Sequence, residues 1–191
     1  MITKSKLKKR NRIVVKFGGS SLANHERILR AVTAVAEEAK KGVQMAVIVS
    51  AMGKTTDTLL NAAKNTSNGN LENHDLDEIL AMGERTSIRI IAAALRAKGV
   101  DTRHVDPLDA EWPIITDDVF SDANPMLDVC YAKTKQTILP LVEKGIVPVI
   151  AGFVGKTLDN KVTTLGRGGS DTTAFILAKA LLNTTTYLVM L

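Results

Sequence analysis

The sequence predicts an α/β protein whose sheet is mainly parallel and covered by helices on both faces. Two observations carry this expectation. Short runs rich in Val and Ile, among them Ile13–Phe17 and Gln44–Ser50, read as fully buried strands. Longer stretches with apolar residues at helical spacing lie between such runs. Strands that alternate with helices pair in parallel, because the chain crosses back over one face before each new strand begins.

The elements follow in order. After Ile13–Phe17, Asn24 is a helix N-cap, and Ile28, Leu29, Val32, Val35, Ala36 and Ala39 recur at helical spacing until Gly42 stops the helix. With Gln44–Ser50 they make one strand–helix–strand unit, expected to have a right-handed crossover. Residues 65–73 form a polar loop, and a long helix runs from about Asp75 to Lys98, closed by Gly99. The segments DTRHV (101–105) and PIIT (113–116) read as short strands around a loop from Asp106 to Trp112. Asn124-Pro125 opens a helix that reaches Lys144-Gly145, and Pro140 kinks it or starts its last turn. IVPVIAGFVG (146–155) is a buried strand running into a loop, and Asp159-Asn160 is a hairpin tip. A helix over Thr172–Leu182 and a strand in TTYLVML (185–191) complete the pattern, with no internal repeat.

Composition narrows the function. The net charge of +5 suggests nucleic acid until it is located. Lys4, Lys6, Lys8, Lys9, Arg10 and Arg12 crowd residues 1–12, read as a basic, solvated tail, and the remainder carries 19 basic against 20 acidic residues. Neither nucleic acid nor a membrane is an expected partner. No apolar run reaches the roughly 18 residues of a membrane span, and the cytoplasm is the default location. Cys130 stands alone as a small core residue, and His25, His74 and His104 lack metal-ligand spacing, so no metal site is expected from protein ligands.

Three stretches carry chemistry. Lys16 precedes Gly18-Gly19 at the end of the first strand, and glycines there expose N–H groups to an anion beside a compact positive charge. The same residues also suit a tight turn with a surface lysine. GRGGSD (166–171) repeats the logic before a helix, adding Arg167, which forks onto carboxylates or makes a surface ion pair, and Asp171, an anion-site residue or an N-cap. Glu84 in GERTS falls in the apolar sector of the long helix with Leu76, Leu80, Gly83, Ser87, Ile91 and Leu95, while Arg85 and Arg89 point the other way. A carboxylate there is costly unless paired with a cation or hydrogen-bonded, and it reads either as an ion pair at the rim of the core or as the receptor of a ligand ammonium. SAMGKTTD (50–57) is a ligand loop or a helix cap. Its GKT is no Walker A loop, since position 48 is Ile where a glycine is needed, and GRGGSD is no dinucleotide fingerprint, since Asp171 replaces the last glycine.

In this order, VKFGGSS, VIVSAMGKTTD, GERTS, GFVG and GRGGSD resemble the N-terminal half of the catalytic domain of aspartate kinases, within the amino-acid kinase family. The resemblance runs from about residue 13 to the last residue. It implies the three-layer αβα sandwich of carbamate kinase and transfer of the γ-phosphoryl of ATP, with Mg, to the side-chain carboxylate of L-aspartate. That is the first step towards lysine, threonine and methionine. It further implies that Lys16, Gly18, Gly19 and Ser21 face phosphate. Ser50, Ala51 and Thr56 would face aspartate, with Phe153 as a wall of the pocket. Glu84 would take the α-ammonium, Arg167 the α-carboxylate, and Ser170 with Asp171 would order the site, Lys16 and Asp171 being catalytic.

The resemblance also sets expectations for organisation. Residues 13–191 correspond to the amino-acid-binding part of such a kinase domain, and the family's nucleotide lobe and ACT domains have no counterpart in these residues. A fragment of this kind is expected to be marginally folded or self-associated and inactive alone, so a homo-oligomer is one expected state. The alternatives are a superfamily member with another acceptor (glutamate, acetylglutamate, carbamate or uridylate) and a non-catalytic aspartate-binding or partner-binding fragment.

Overall fold

A computed structural model describes residues 11–182 and 186–191. The basic cluster from Lys4 to Arg10 and the start of TTYLVML lie outside the described residues. Arg12 does not belong to the tail. It opens strand β1 (Arg12–Phe17) as a buried side chain, donating through Nε and Nη2 to Gln44 Oε1 and through Nη1 to the carbonyl of Leu181 at 2.7 Å.

Five strands form one parallel sheet: β1, β2 (Gln44–Val49), β3 (Thr102–Val105), β4 (Val147–Ala151) and β7 (Thr186–Met190), in the spatial order β3-β4-β2-β1-β7. Helix α1 (His25–Lys40) packs with α3 (Asn73–Ala97), while α4 (Leu127–Lys133) and α5 (Leu139–Glu143) share the other layer with α6 (Gly169–Ala180). β2, near the middle, is buried at every residue, as a strand covered on both faces must be. Asn24 caps α1 as expected, accepting from the Arg27 N–H at 3.0 Å. No helix among the described residues is long and apolar enough to cross a membrane.

Four local differences from the sequence expectation have physical reasons. Residues Thr55–Thr66 form a helix, α2, that packs on α3; it buries only Ala63, so its apolar signature is faint. PIIT is not a strand of the sheet. Ile115 and Thr116 make isolated bridges to Lys156 and Pro125, and Cys130 Sγ takes the Ile115 N–H that a neighbouring strand would otherwise accept. IVPVIAGFVG breaks at Gly152-Phe153, where Phe153 adopts φ 66°, and Val154–Lys156 turns away as β5 to pair antiparallel with β6 (Val162–Thr164) around a tip containing Asp159-Asn160. The helix opened near Pro125 begins at Leu127 and runs to Glu143 with a π-helical turn over Thr134–Ile138 just before Pro140. A proline lacks the N–H for the regular ladder, and the wider turn accommodates that loss.

Candidate active site

The parallel strands direct their carboxyl ends to one edge, and a cleft of about 360 Å³ opens there. Open α/β sheets present ligand sites at this edge because loops from adjacent strands converge there. The ladder persists into the loops: Gly18 N–H donates to Leu191 O, Ser50 N–H to Phe17 O, and Gly152 N–H to Val49 O. Each loop is thereby tied to its neighbour before it diverges.

Close backbone approach explains the glycines. A Cβ on Gly18 would lie 3.3 Å from Lys16 Nζ, in the space that the ammonium uses. A Cβ on Gly152 would lie 2.6 Å from Ser170 Oγ, so the β4 end and the start of α6 meet only because position 152 has no side chain. Across that junction Ser50 Oγ donates to Ser170 Oγ at 2.9 Å.

Lys16 and Asp171 form an ion pair across the cleft, Nζ to Oδ1 at 2.7 Å, joining the end of β1 to the first turn of α6. Asp171 therefore does not cap its helix. Gly168, left-handed at φ 80°, holds the N-cap position.

Glu84 lies in the middle of α3 with its side chain against the loop after β2. Oε1 accepts the Ala51 N–H at 2.9 Å, while the buried Oε2 has no hydrogen-bond partner among the described residues. Burial pushes the carboxyl up to about 7, only partly offset by the Ala51 N–H. The rim ion pair allowed by the sequence is not formed among the described residues. Arg85 and Arg89 face away and both bind Asp106 Oδ2, at 3.0 and 2.7 Å.

The structure brings Lys16, Gly18, Gly19, Ser50, Ala51, Thr56, Glu84, Phe153, Ser170 and Asp171 to the cleft wall. Two expected site residues are not part of it. Ser21 lies in the short turn after Gly18 and borders a neighbouring depression with Arg27 and Arg30. Arg167 is exposed in the loop before α6, with no ion pair to the described residues. One residue beside the site went unnoticed in the sequence. Asp77, fully buried on α3, holds the loops behind the cleft, and its spacing of two turns from Glu84 on the same face was the available signal.

The fold and cleft define an α/β protein with a mixed-charge ligand site at the carboxyl edge of a parallel sheet. A family model described as the amino acid kinase family matches residues 11–188, and the chain belongs to that family. An aspartokinase of Geobacillus stearothermophilus is 40% identical over 169 residues, which cover 88% of this chain and 40% of the relative. The chain thus spans about two fifths of the length of the curated relatives it matches. Among solved structures, an aspartate kinase from Synechocystis matches at TM-score 0.70 and 33% identity, covering 92% of this chain and 28% of that one. The fold is also that of E. coli aspartokinase III in complex with aspartate and ADP, at TM-score 0.77 and 24% identity, over 93% of this chain and 48% of that one.

Proposed function

We propose that this chain forms the amino-acid-binding part of an aspartate kinase, where the γ-phosphoryl of ATP passes to the side-chain carboxylate of L-aspartate. The observation that carries the proposal is Glu84 Oε2, a buried carboxylate oxygen without a hydrogen-bond partner among the described residues, on the wall of a cleft that also holds Lys16. An ammonium in the cleft would satisfy Oε2 and stabilise the charge that burial now opposes. In this reading Arg167 swings onto the α-carboxylate, while Ser50, Ala51, Thr56 and Phe153 shape the pocket.

An oxygen of the aspartate side chain attacks the γ-phosphorus, the bond to the β–γ bridging oxygen breaks, and ADP leaves with that electron pair. A side-chain carboxylate is already ionised at neutral pH, so no strong general base is needed. Positioning and charge compensation then dominate. Lys16, held at the cleft by Asp171, shares its charge with the moving phosphoryl, and Gly18 and Gly19 face the phosphate oxygens, while Ser21, outside the cleft wall, takes no part in this reading. Magnesium would arrive on the nucleotide, since that ion commonly keeps phosphate and water ligands with one or two carboxylates. A cytoplasmic location belongs to the same proposal.

Glu84 also favours an amino-acid acceptor over acetylglutamate, carbamate or uridylate, none of which carries an ammonium to meet Oε2. Calorimetric titration of the chain with L-aspartate and with N-acetyl-L-aspartate tests this directly. Heat from L-aspartate alone is the expected result. Equal binding of both compounds, or of neither, overturns the assignment.

A further inference from the structure

We infer that Asp77 is a positioning residue that sets the glycine loop 165–171 against Glu84, an inference that rests on the proposed aspartate site. Asp77 and Glu84 lie two turns apart on α3, on one face. Asp77 is fully buried, and both of its oxygens are occupied. Oδ2 accepts the Thr164 N–H at 2.9 Å and the Ser121 N–H at 2.8 Å, while Oδ1 accepts the Thr164 hydroxyl at 2.7 Å and the Ser121 hydroxyl at 3.3 Å.

The two partners are placed to matter. Thr164 ends β6 and leads directly into Leu165 and the glycine loop, which runs into the first turn of α6 with Ser170 and Asp171. Its carbonyl accepts the Ala123 N–H at 2.9 Å, and the next amide, Leu165 N–H, donates to Phe153 O at 2.8 Å. Ser121, at φ 71°, brings its loop against the same turn, where a Cβ on Gly166 would collide with Asp122 Oδ1. One carboxylate therefore clips the base of the glycine loop, and the segment braced against it, to the helix that carries Glu84. In the proposed site this sets the distance between the group that takes the ammonium and the segment that carries Arg167 in its loop and Ser170 and Asp171 in the first turn of α6. Asp77 touches none of the cleft itself, so it acts through these partners.

The test is amide hydrogen exchange on the 191-residue chain, comparing parent, Asp77→Asn, Thr164→Val and Thr164→Ser. Asn turns an N–H donor toward groups that donate, and Val removes the hydroxyl bond alone. Exchange at Leu165, Gly169 and Asp171 is expected to rise about tenfold or more in Asp77→Asn and less in Thr164→Val. Thr164→Ser should keep parental protection, and amides of β1, β2 and β4 should be unchanged in all variants that fold. If Asp77→Asn does not fold, Thr164→Val decides. Unchanged loop exchange in Thr164→Val, or a rise spread evenly over the sheet, overturns the positioning role in favour of plain stability. Titration with L-aspartate runs alongside. A loosened loop with affinity lowered about tenfold supports both ideas, whereas a loosened loop with no aspartate binding even in the parent keeps the positioning role and removes the proposed ligand.

Discussion

Helix α3 carries two buried carboxylates that face the same way and live differently. Asp77 receives four hydrogen bonds from Thr164 and Ser121, so each oxygen is satisfied within the chain. Among the described residues Glu84 receives one, from Ala51 on Oε1, and Oε2 is left bare beside a cleft. Burial of a charge is costly unless it is compensated. A compensated carboxylate on a helix fastens loops. A half-compensated one, held at the wall of a cavity, stores an unmet interaction that a ligand cation can complete. The contrast separates an acid whose hydrogen bonds are complete from one left open to a further partner, the role proposed for Glu84.

The largest expected effect breaks the structural side of this contrast. Asp77→Ala leaves the buried N–H and hydroxyl of Thr164 and the half-buried N–H and hydroxyl of Ser121 without an acceptor, and should destabilise the chain by about 3–5 kcal/mol. Glu84→Ala abandons only the Ala51 N–H and also relieves a buried carboxylate, so its cost should be about 1 kcal/mol or less at neutral pH. Urea denaturation of both variants gives the comparison. Equal losses would mean that Glu84 is as fully compensated as Asp77, and that the bare oxygen has a partner in solution.

The next effect is a pH profile. The Glu84 carboxyl is raised from 4.5 to about 7 in the folded chain, chiefly by burial. Below pH 4.5 it is protonated whether the chain is folded or not, and folding carries no penalty. As pH rises from there to about 7, the unfolded chain releases the proton while the folded chain keeps it, so stability falls. Above about 7 both forms are ionised, and the loss levels off near about 3 kcal/mol. Glu84→Gln lacks this proton and should not show that fall, so the difference in unfolding free energy between variant and parent should grow across this window. A constant difference from pH 4 to 8 would show that the parental carboxylate ionises normally. Saturating L-aspartate should flatten the parental profile by stabilising the ionised form.

The two carboxylates were unequally legible in the sequence. Glu84 stood out because an acid interrupts the apolar sector of a helix otherwise built from Leu80, Gly83, Ser87 and Ile91. Asp77 sits near the start of the same helix, where acids are ordinary companions of the helix dipole, and its only local mark is the two-turn spacing that puts it on the face of Glu84. Its partners, Ser121 and Thr164, are 44 and 87 residues away in sequence, and only the tertiary fold joins them. The parallel sheet was readable because β-branched runs and intervening helices are local patterns. The break at Gly152-Phe153 was not, since a left-handed Phe is a strained choice that only the surrounding packing makes tolerable. The charge of Arg12 groups it with the basic tail in sequence, although a buried Gln44 and the carbonyl of Leu181 await it in the fold.

Arg167 gives the smallest expected effect and a third case for the comparison. It is a charged group that begins in water rather than in the core, flanked by Gly166 at φ 64° and Gly168 at φ 80°. Its energetic starting point is therefore the opposite of Glu84's: binding must remove water from it, and much of the Coulomb gain is offset by that loss. Arg167→Lys keeps the charge and replaces a planar fork by a point donor, so only the bidentate part of a carboxylate contact is lost. L-Aspartate should bind about three- to tenfold more weakly, with unfolding free energy unchanged because no ion pair to the described residues depends on the guanidinium. Calorimetry with L-aspartate beside urea denaturation separates the two quantities. Parental affinity in the lysine variant would assign the α-carboxylate to backbone N–H groups of the glycine loop, and a fall in stability would show that Arg167 already has a protein partner in solution.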